Sequence, residues 1–277
     1  MKSQDLQKMY DFSDHTAVVT GGCGVLGGEM ALTLAWLGAR VAVLDRCPEL
    51  PERMTTQSAG APGKITLFQA DVLKRETLVE AERTISEVFG PADILINAAG
   101  GNHPSATTTP EMSFFDLPSE ALQFVFELNL LGTILPSQVF GKVMANHQQG
   151  TILNISSMNA YRPLTRIPAY SAAKAGVSSF TQWLAVHMAQ EYSPNIRVNA
   201  IAPGFFLGEQ NRFLLIDKQT GKLTWRGQTI LDHTPMNRFG KPADLLGAVL
   251  WLLSPAAAFV TGIVVPIDGG FSAFSGV

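Results

Sequence analysis

Short apolar runs alternate with longer stretches of helical period along this chain. The runs cover 16–20, 40–45, 65–70, 93–97, 151–156, 196–201 and 262–267. They are mostly continuous rather than alternating, as strands buried on both faces should be. The stretches between them predict helices near 25–38, 74–89, 119–146, 170–192 and 243–253. Strand–helix–strand repetition predicts an α/β fold: one doubly wound, seven-stranded parallel sheet with helices on both faces. No linker or repeat divides the chain, so residues 1–277 are expected to form a single domain. Ligands of such sheets bind beyond the carboxyl ends of the strands, and the chemistry is sought there. Residues 205–241 break the rhythm: long, mixed and glycine-punctuated, with an exposed turn expected near 217–222, they predict a substrate lid. The uncharged stretch 245–267 is long enough to span a bilayer. Pro255, Gly262 and Pro266 interrupt it, and it reads as a buried helix, a turn and a buried strand.

Composition narrows the function. A net charge of −3 removes the electrostatic footprint of a nucleic-acid binder or a polybasic membrane-surface protein. Two cysteines, Cys23 and Cys47, make neither a disulfide framework nor a zinc pattern, and a reducing, cytoplasmic setting is expected. The five histidines form no metal motif. The first residues carry acids and lack an apolar core, so no signal peptide is expected there.

Candidate chemistry falls after successive strands. Thr20-Gly21-Gly22-Cys23-Gly24-Val25-Leu26-Gly27-Gly28 lies between a strand and a helix. Glycines there let the backbone approach a pyrophosphate at a helix N-terminus, although a tight turn alone would use them too. Asp45 ends the second strand, where a carboxylate can accept ribose hydroxyls and repel a 2′-phosphate, favouring NAD over NADP; Arg46 beside it softens that preference. Asp71-Val72 and Asn97-Ala98-Ala99-Gly100 end the third and fourth strands. Tyr170 and Lys174, four apart, share a helical face. An ammonium favours phenolate and would make the tyrosine a useful acid/base near neutral pH. Ser157 can donate to a carbonyl oxygen or merely cap a strand end. Asn129, a polar amide inside an apolar helix, must find partners: either a structural role or a water relay to Lys174.

In order and content these elements, with Pro203-Gly204 and Asp268-Gly269-Gly270, resemble the classical short-chain dehydrogenase/reductase family over residues from about 14 to 270. The resemblance implies a Rossmann domain, NAD(H) as cofactor and hydride transfer between nicotinamide and a carbonyl or carbinol carbon. It implies Tyr170 as general acid/base, Lys174 on the nicotinamide ribose, Ser157 on the substrate oxygen and Asn129 in the relay. The expected cofactor cradle is Gly21, Cys23, Val25, Leu26, Gly27, Asp45, Arg46, Asp71, Val72, Asn97, Ala98, Ala99, Tyr170, Lys174, Pro203, Gly204 and Phe206. Two departures stand out: Val25 occupies a position usually held by glycine, and Gly208 one often held by threonine. The resemblance also implies a homotetramer, with interfaces on the helices near 119–146 and 170–192 and on the C-terminal strand region.

Three polar segments should converge over the nicotinamide: Gly101-Asn102-His103-Pro104, Asn159 to Arg166, and Glu209-Gln210-Asn211-Arg212. Amides and a histidine suit a polyhydroxylated chain and arginines a carboxylate, while each arginine alone reads more readily as a solvated surface charge. Asn102, His103, Asn159, Arg166, Gln210, Asn211 and Arg212 are the expected substrate residues. These segments resemble a sugar-acid subgroup of the family, which implies interconversion of D-fructuronate and D-mannonate; a gluconate 5-dehydrogenase-like, other polyol or 3-oxoacyl reductase activity is the alternative.

Overall fold

The computed structural model describes residues 2–208, 212 and 214–276. Seven strands, β1 (Thr16–Thr20), β2 (Arg40–Asp45), β3 (Lys64–Gln69), β4 (Ile94–Asn97), β5 (Gly150–Ile155), β6 (Ile196–Pro203) and β7 (Val264–Ile267), form one parallel sheet in the order β3-β2-β1-β4-β5-β6-β7. Strands β1, β4 and β5 are buried along their whole length, which is why their sequence shows no alternation. Strand order reverses between β1 and β4, and a crevice opens beyond their carboxyl ends. Register levels those ends: Thr20 pairs with Asn97, and Asn97 with Asn154.

A short helix, α1 (Ser3–Lys8), precedes β1. Helices α2 (Val25–Trp36), α3 (Glu52–Gln57), α4 (Arg75–Phe89), α5 (Ser119–Phe126), α6 (Gly132–His147), α7 (Pro168–Glu191), α8 (Trp225–Asp232) and α9 (Leu246–Leu253) complete the described elements. Helix α4 shows the pattern that decides its packing: Leu78, Ala81, Ile85 and Phe89 recur at helical spacing and are buried. The helix predicted over 119–146 is present but interrupted: Glu127–Leu131 forms a π-helical turn between α5 and α6. The 119–147 stretch is long and apolar enough to cross a membrane by composition alone, yet half of it is buried within the domain. The 245–267 stretch resolves, as expected, into α9, a 3-10 turn at Pro255–Ala257 and β7.

Arg197 of β6 ties α9 to the sheet. Its buried guanidinium donates to the carbonyls of Leu252, Leu253 and Ser254 and to Thr151 Oγ1, so a cation meets the helix's unpaired C-terminal carbonyls. Segment 205–241 is not structureless: it carries α8, bridges Phe206 to Gly240, and turns at 217–222, where Asp217 accepts from Gln219 and Thr220.

Candidate active site

The floor of the crevice is a run of buried polar groups at the strand ends. Asn97 Nδ2 donates to Ser137 Oγ (2.9 Å) and Asn154 Oδ1 (2.8 Å); Asn154 Nδ2 donates to Thr181 Oγ1 (2.9 Å). Ser137 donates on to Thr133 O, and Thr133 to Asn129 O. The ladder links β4, β5, α6 and α7 to the π turn, and paired polar groups rigidify where unpaired ones would destabilise. Asn97, expected in the cofactor cradle, therefore commits its side-chain amide to the interior. Asn154, Thr181, Ser137 and Thr133 were not singled out in the sequence, because each alone resembles an ordinary strand or helix residue.

Asn129 is fully buried in the π turn. Its Nδ2 donates to Gly101 O (2.7 Å) and Val125 O (2.8 Å), and its Oδ1 accepts from Gly101 N (3.1 Å). Lys174 is 3% exposed and donates from Nζ to Ile155 O at 2.7 Å. Gly100 runs between the two: a Cβ there would lie 2.8 Å from Asn129 Oδ1 and 3.2 Å from Lys174 Nζ. Only glycine lets the chain after β4 pass so close, which places the amide and the ammonium on either side of one residue. Burial pulls the Lys174 ammonium down to about 8.

Tyr170 lies one turn before Lys174 on α7, with Nζ 5.7 Å from its ring centroid. Burial raises its pKa, and a hydrogen bond with Ser157 opposes that rise. The lowering expected from the ammonium is not what prevails: desolvation of the phenolate does, and the opposing contribution comes from Ser157. Ser157, buried at the end of β5, caps the 3-10 turn Met158–Ala160 by accepting from Asn159 N at 3.3 Å. Four expected catalytic residues thus meet, or meet through Gly100, beyond β4 and β5.

The cofactor groove lies on the β1 side. Gly21 has φ +63°, and a Cβ there would stand 2.7 Å from Ala99 Cα; the β1 loop and the β4 loop touch, with Thr20 Oγ1 accepting from Ala98 and Ala99 N–H. Helix α2 starts at Val25 without a side-chain cap, leaving first-turn N–H groups for an anion. Asp45 holds Cys23 N on Oδ2 (3.0 Å) and Arg46 N on Oδ1 (2.7 Å), which fixes the carboxylate at the loop and leaves acceptor capacity on both oxygens. These residues fit a dinucleotide: close backbone at the phosphates and a carboxylate at the ribose. Asp71 caps its own loop by accepting from Leu73 N. Val72 is buried and Leu26 packs against the core; Gly204 bonds to Ile267 O at the end of β6 beside Pro203, and Phe206 is buried under Gly240.

A cleft of about 500 Å³ adjoins the loop, lined by Cys23, Gly24, Val25, Pro51, Arg53, Leu207, Gly208 and Arg212. Arg212, an expected substrate residue, lines this cleft with Leu207 and Gly208. Arg53, not anticipated, donates to Gly24 O and Cys23 O on the other wall. Cysteine spacing predicts no disulfide framework; the fold brings the sulfurs of Cys23 and Cys47 together, where Asp45 holds the end of β2 against the loop.

The rim is more open. Asn102 is exposed and bonds to Thr107 Oγ1; His103 Nδ1 accepts from Ser105 N, and its ring meets Phe124 edge-on. Asn159 is 3% exposed, and its Oδ1 has no partner. Arg166 is exposed at φ +80° and holds Thr108 N on its carbonyl. Arg226, on the first turn of α8 and missed in the sequence, lies within electrostatic reach of Arg166 and is depressed chiefly by burial and further by that neighbouring charge. Gln210 and Asn211 lie outside the described residues.

Fold, glycine loop and the Ser157–Tyr170–Lys174 constellation define a nicotinamide-dependent oxidoreductase, and the chain belongs to the short-chain dehydrogenase/reductase family. Residues 24–272 match the enoyl-(acyl carrier protein) reductase description of that family. The chain is 49% identical to an uncharacterized oxidoreductase of Bacillus subtilis (strain 168), UxuB, over 95% of this chain and 96% of the relative. It is 33% identical to an NAD-dependent glycerol dehydrogenase of Listeria innocua, over 98% and 99%. A solved structure from Haemophilus influenzae with bound NAD, provisionally assigned as a D-mannonate oxidoreductase, superposes at a TM-score of 0.90 with 45% identity, covering 98% of this chain and 100% of that one. The protein is an NAD-dependent oxidoreductase.

Proposed function

We propose that this enzyme interconverts a sugar-acid ketone and its alcohol, D-fructuronate and D-mannonate. The observation that carries the reading is the pair Arg166 and Arg226. They come from separate elements, the Arg166 charge adds to burial in lowering the proton affinity of Arg226, and neither has an acidic partner among the described residues. A substrate carboxylate would relieve that repulsion through charge-assisted hydrogen bonds. Asn159 supports the rest of the molecule: its buried, unpartnered Oδ1 beside Ser157 suits a sugar hydroxyl.

Bound NAD supplies a hydride acceptor or donor. Asp45 and the uncapped start of α2 hold its ends of opposite need, hydroxyl and phosphate. Ser157 donates to the substrate oxygen and orients it toward Tyr170. Tyr170 takes the hydroxyl proton during alcohol oxidation and returns it during ketone reduction. Lys174, fixed by Ile155 O, brings positive charge to the phenolate when protonated; Asn129 and the backbone at Gly101 lead from it toward solvent. Segment 205–241 forms the cover of the substrate in this reading. The exposed apolar residues Trp183, Val186 and Tyr192 on and after α7 support assembly through that helix, in keeping with a homotetramer. A cytoplasmic location belongs to the same proposal.

The test is loss of NADH absorbance with D-fructuronate, run beside NADPH and an uncharged ketose. Rapid NADH loss with fructuronate alone is expected. Turnover of the uncharged ketose in preference would favour the second reading, a polyol dehydrogenase, which Asn159 and the likeness to a glycerol dehydrogenase also suit.

A further inference from the structure

We propose that Cys23 and Cys47 are a reversible thiol–disulfide modification site that governs entry of the adenosine half of NAD(H). They are the two cysteines of the chain. One sits in the glycine loop after β1, the other just past the end of β2, and the fold brings their sulfurs together beside Asp45. Both sulfurs and an Asp45 carboxylate oxygen lie within 4.8 Å of one another. Asp45 cannot swing aside, because the amides of Cys23 and Arg46 hold both its oxygens. A ribose hydroxyl bonded to that carboxylate would stand about 2.7 Å from it, in the volume beside the sulfur bridge. Opening the bridge lets the two thiol side chains rotate out of that volume; closing it holds both sulfurs there, while the Cys23 amide keeps the loop on Asp45 in either state. Cys23 and Cys47 are partly buried rather than sealed, so a small oxidant can reach them.

The chemistry balances with a peroxide as oxidant. The Cys23 thiolate, favoured just ahead of the N-terminus of α2, attacks one peroxide oxygen. The O–O bond breaks, a sulfenic acid forms and, with a proton, water leaves. Cys47 sulfur then attacks the sulfenic sulfur, the S–O bond breaks, and a second water leaves with the thiol proton. Two thiols have lost two electrons to the peroxide. A dithiol reductant reverses the bond by exchange.

The inference rests on the cofactor site and not on the sugar-acid reading, and its test uses no sugar. The whole protein is reduced with dithiothreitol, freed of it, and one half is treated with stoichiometric hydrogen peroxide. Titratable thiols of the denatured protein, intact mass and the NADH Kd by fluorescence are then measured. Peroxide should remove both thiols with loss of two hydrogens and no covalent dimer, and should weaken NADH at least about tenfold, with recovery in dithiothreitol. Cys47→Ser should bind NADH as the reduced protein does, before and after peroxide. Persistence of both thiols in peroxide, an undiminished NADH affinity of the disulfide form, or equal weakening of Cys47→Ser would each overturn the proposal.

Discussion

Lys174 and Arg166 flank the start of one helix, α7, and are held in opposite ways. Lys174 is buried, its ammonium donates to Ile155 O, and burial depresses its proton affinity. Arg166 is exposed, sits at a positive φ, and among the described residues its backbone carbonyl accepts from Thr108 N. The contrast extends to their neighbours. Asn129 stands on the polar ladder of the crevice floor and Tyr170 is hydrogen-bonded to the buried Ser157, whereas Asn102 and Arg166 are exposed and His103 and Arg226 half-buried. Floor geometry is set by partners inside the protein; rim geometry waits on what binds. Floor substitutions should therefore act on kcat, and rim substitutions on KM.

The strongest way to break this division is Tyr170→Phe. Turnover should fall by about 10³-fold or more, with NADH affinity by fluorescence titration nearly unchanged. Retained turnover would remove Tyr170 from proton transfer.

A pH series tests the buried ammonium. Lys174 titrates at about 8 in the folded protein, below its ordinary 10.5. Between those values the unfolded chain binds more protons at this residue, so cofactor-free stability should rise with pH across that window, by roughly 2 kcal/mol from pH 8 to 9.5. Tyr170 is raised in the fold, so its contribution runs the other way, falling with pH only above its ordinary value of 10. Denaturant melts of Lys174→Met should lose the Lys174 part of the slope; an unchanged slope would mean the ammonium is not desolvated.

At the rim, Arg226→Ala should raise KM for D-fructuronate by about tenfold to a hundredfold, the worth of a charged hydrogen bond, and leave kcat within a small factor. An uncharged ketose should not respond. A fall in kcat with KM unchanged would place Arg226 with the floor instead.

The smallest effect sharpens the same point. Thr224 caps α8, accepting from Gly227 N at 3.0 Å and donating to Leu214 O at 2.7 Å. Thr224→Ala should cost about 1 kcal/mol in chemical denaturation. A matching small rise in KM would show that Arg226 depends on the cap for its position.

The strands were legible because burial on both faces leaves an unbroken apolar run, and all seven appear within a few residues of expectation. The candidate catalytic side chains stood out because proton transfer restricts residue type and spacing, and the fold places them close together. Helix α8 was not: in Trp225–Asp232 only Gly227 and Ile230 are buried, so no apolar stripe marks it, and Arg226 passed as surface charge. The link between Cys23 and Cys47 depends on how Asp45 meets the glycine loop, a contact across strands that no spacing encodes.

The π turn at Glu127–Leu131 has a consequence for insertions and deletions. Such a turn is an α-helix carrying one residue too many, a phase error confined to a single winding. Removing one residue anywhere between Val125 and Thr133 would let α5 and α6 fuse into one regular helix. Each residue of an α-helix advances about 100° around the axis, so the amide of Asn129 would turn away from Gly101 and Lys174 while the apolar pattern of the helix stayed almost intact. The helix would remain a good helix, and the enzyme would lose its alignment by arithmetic alone.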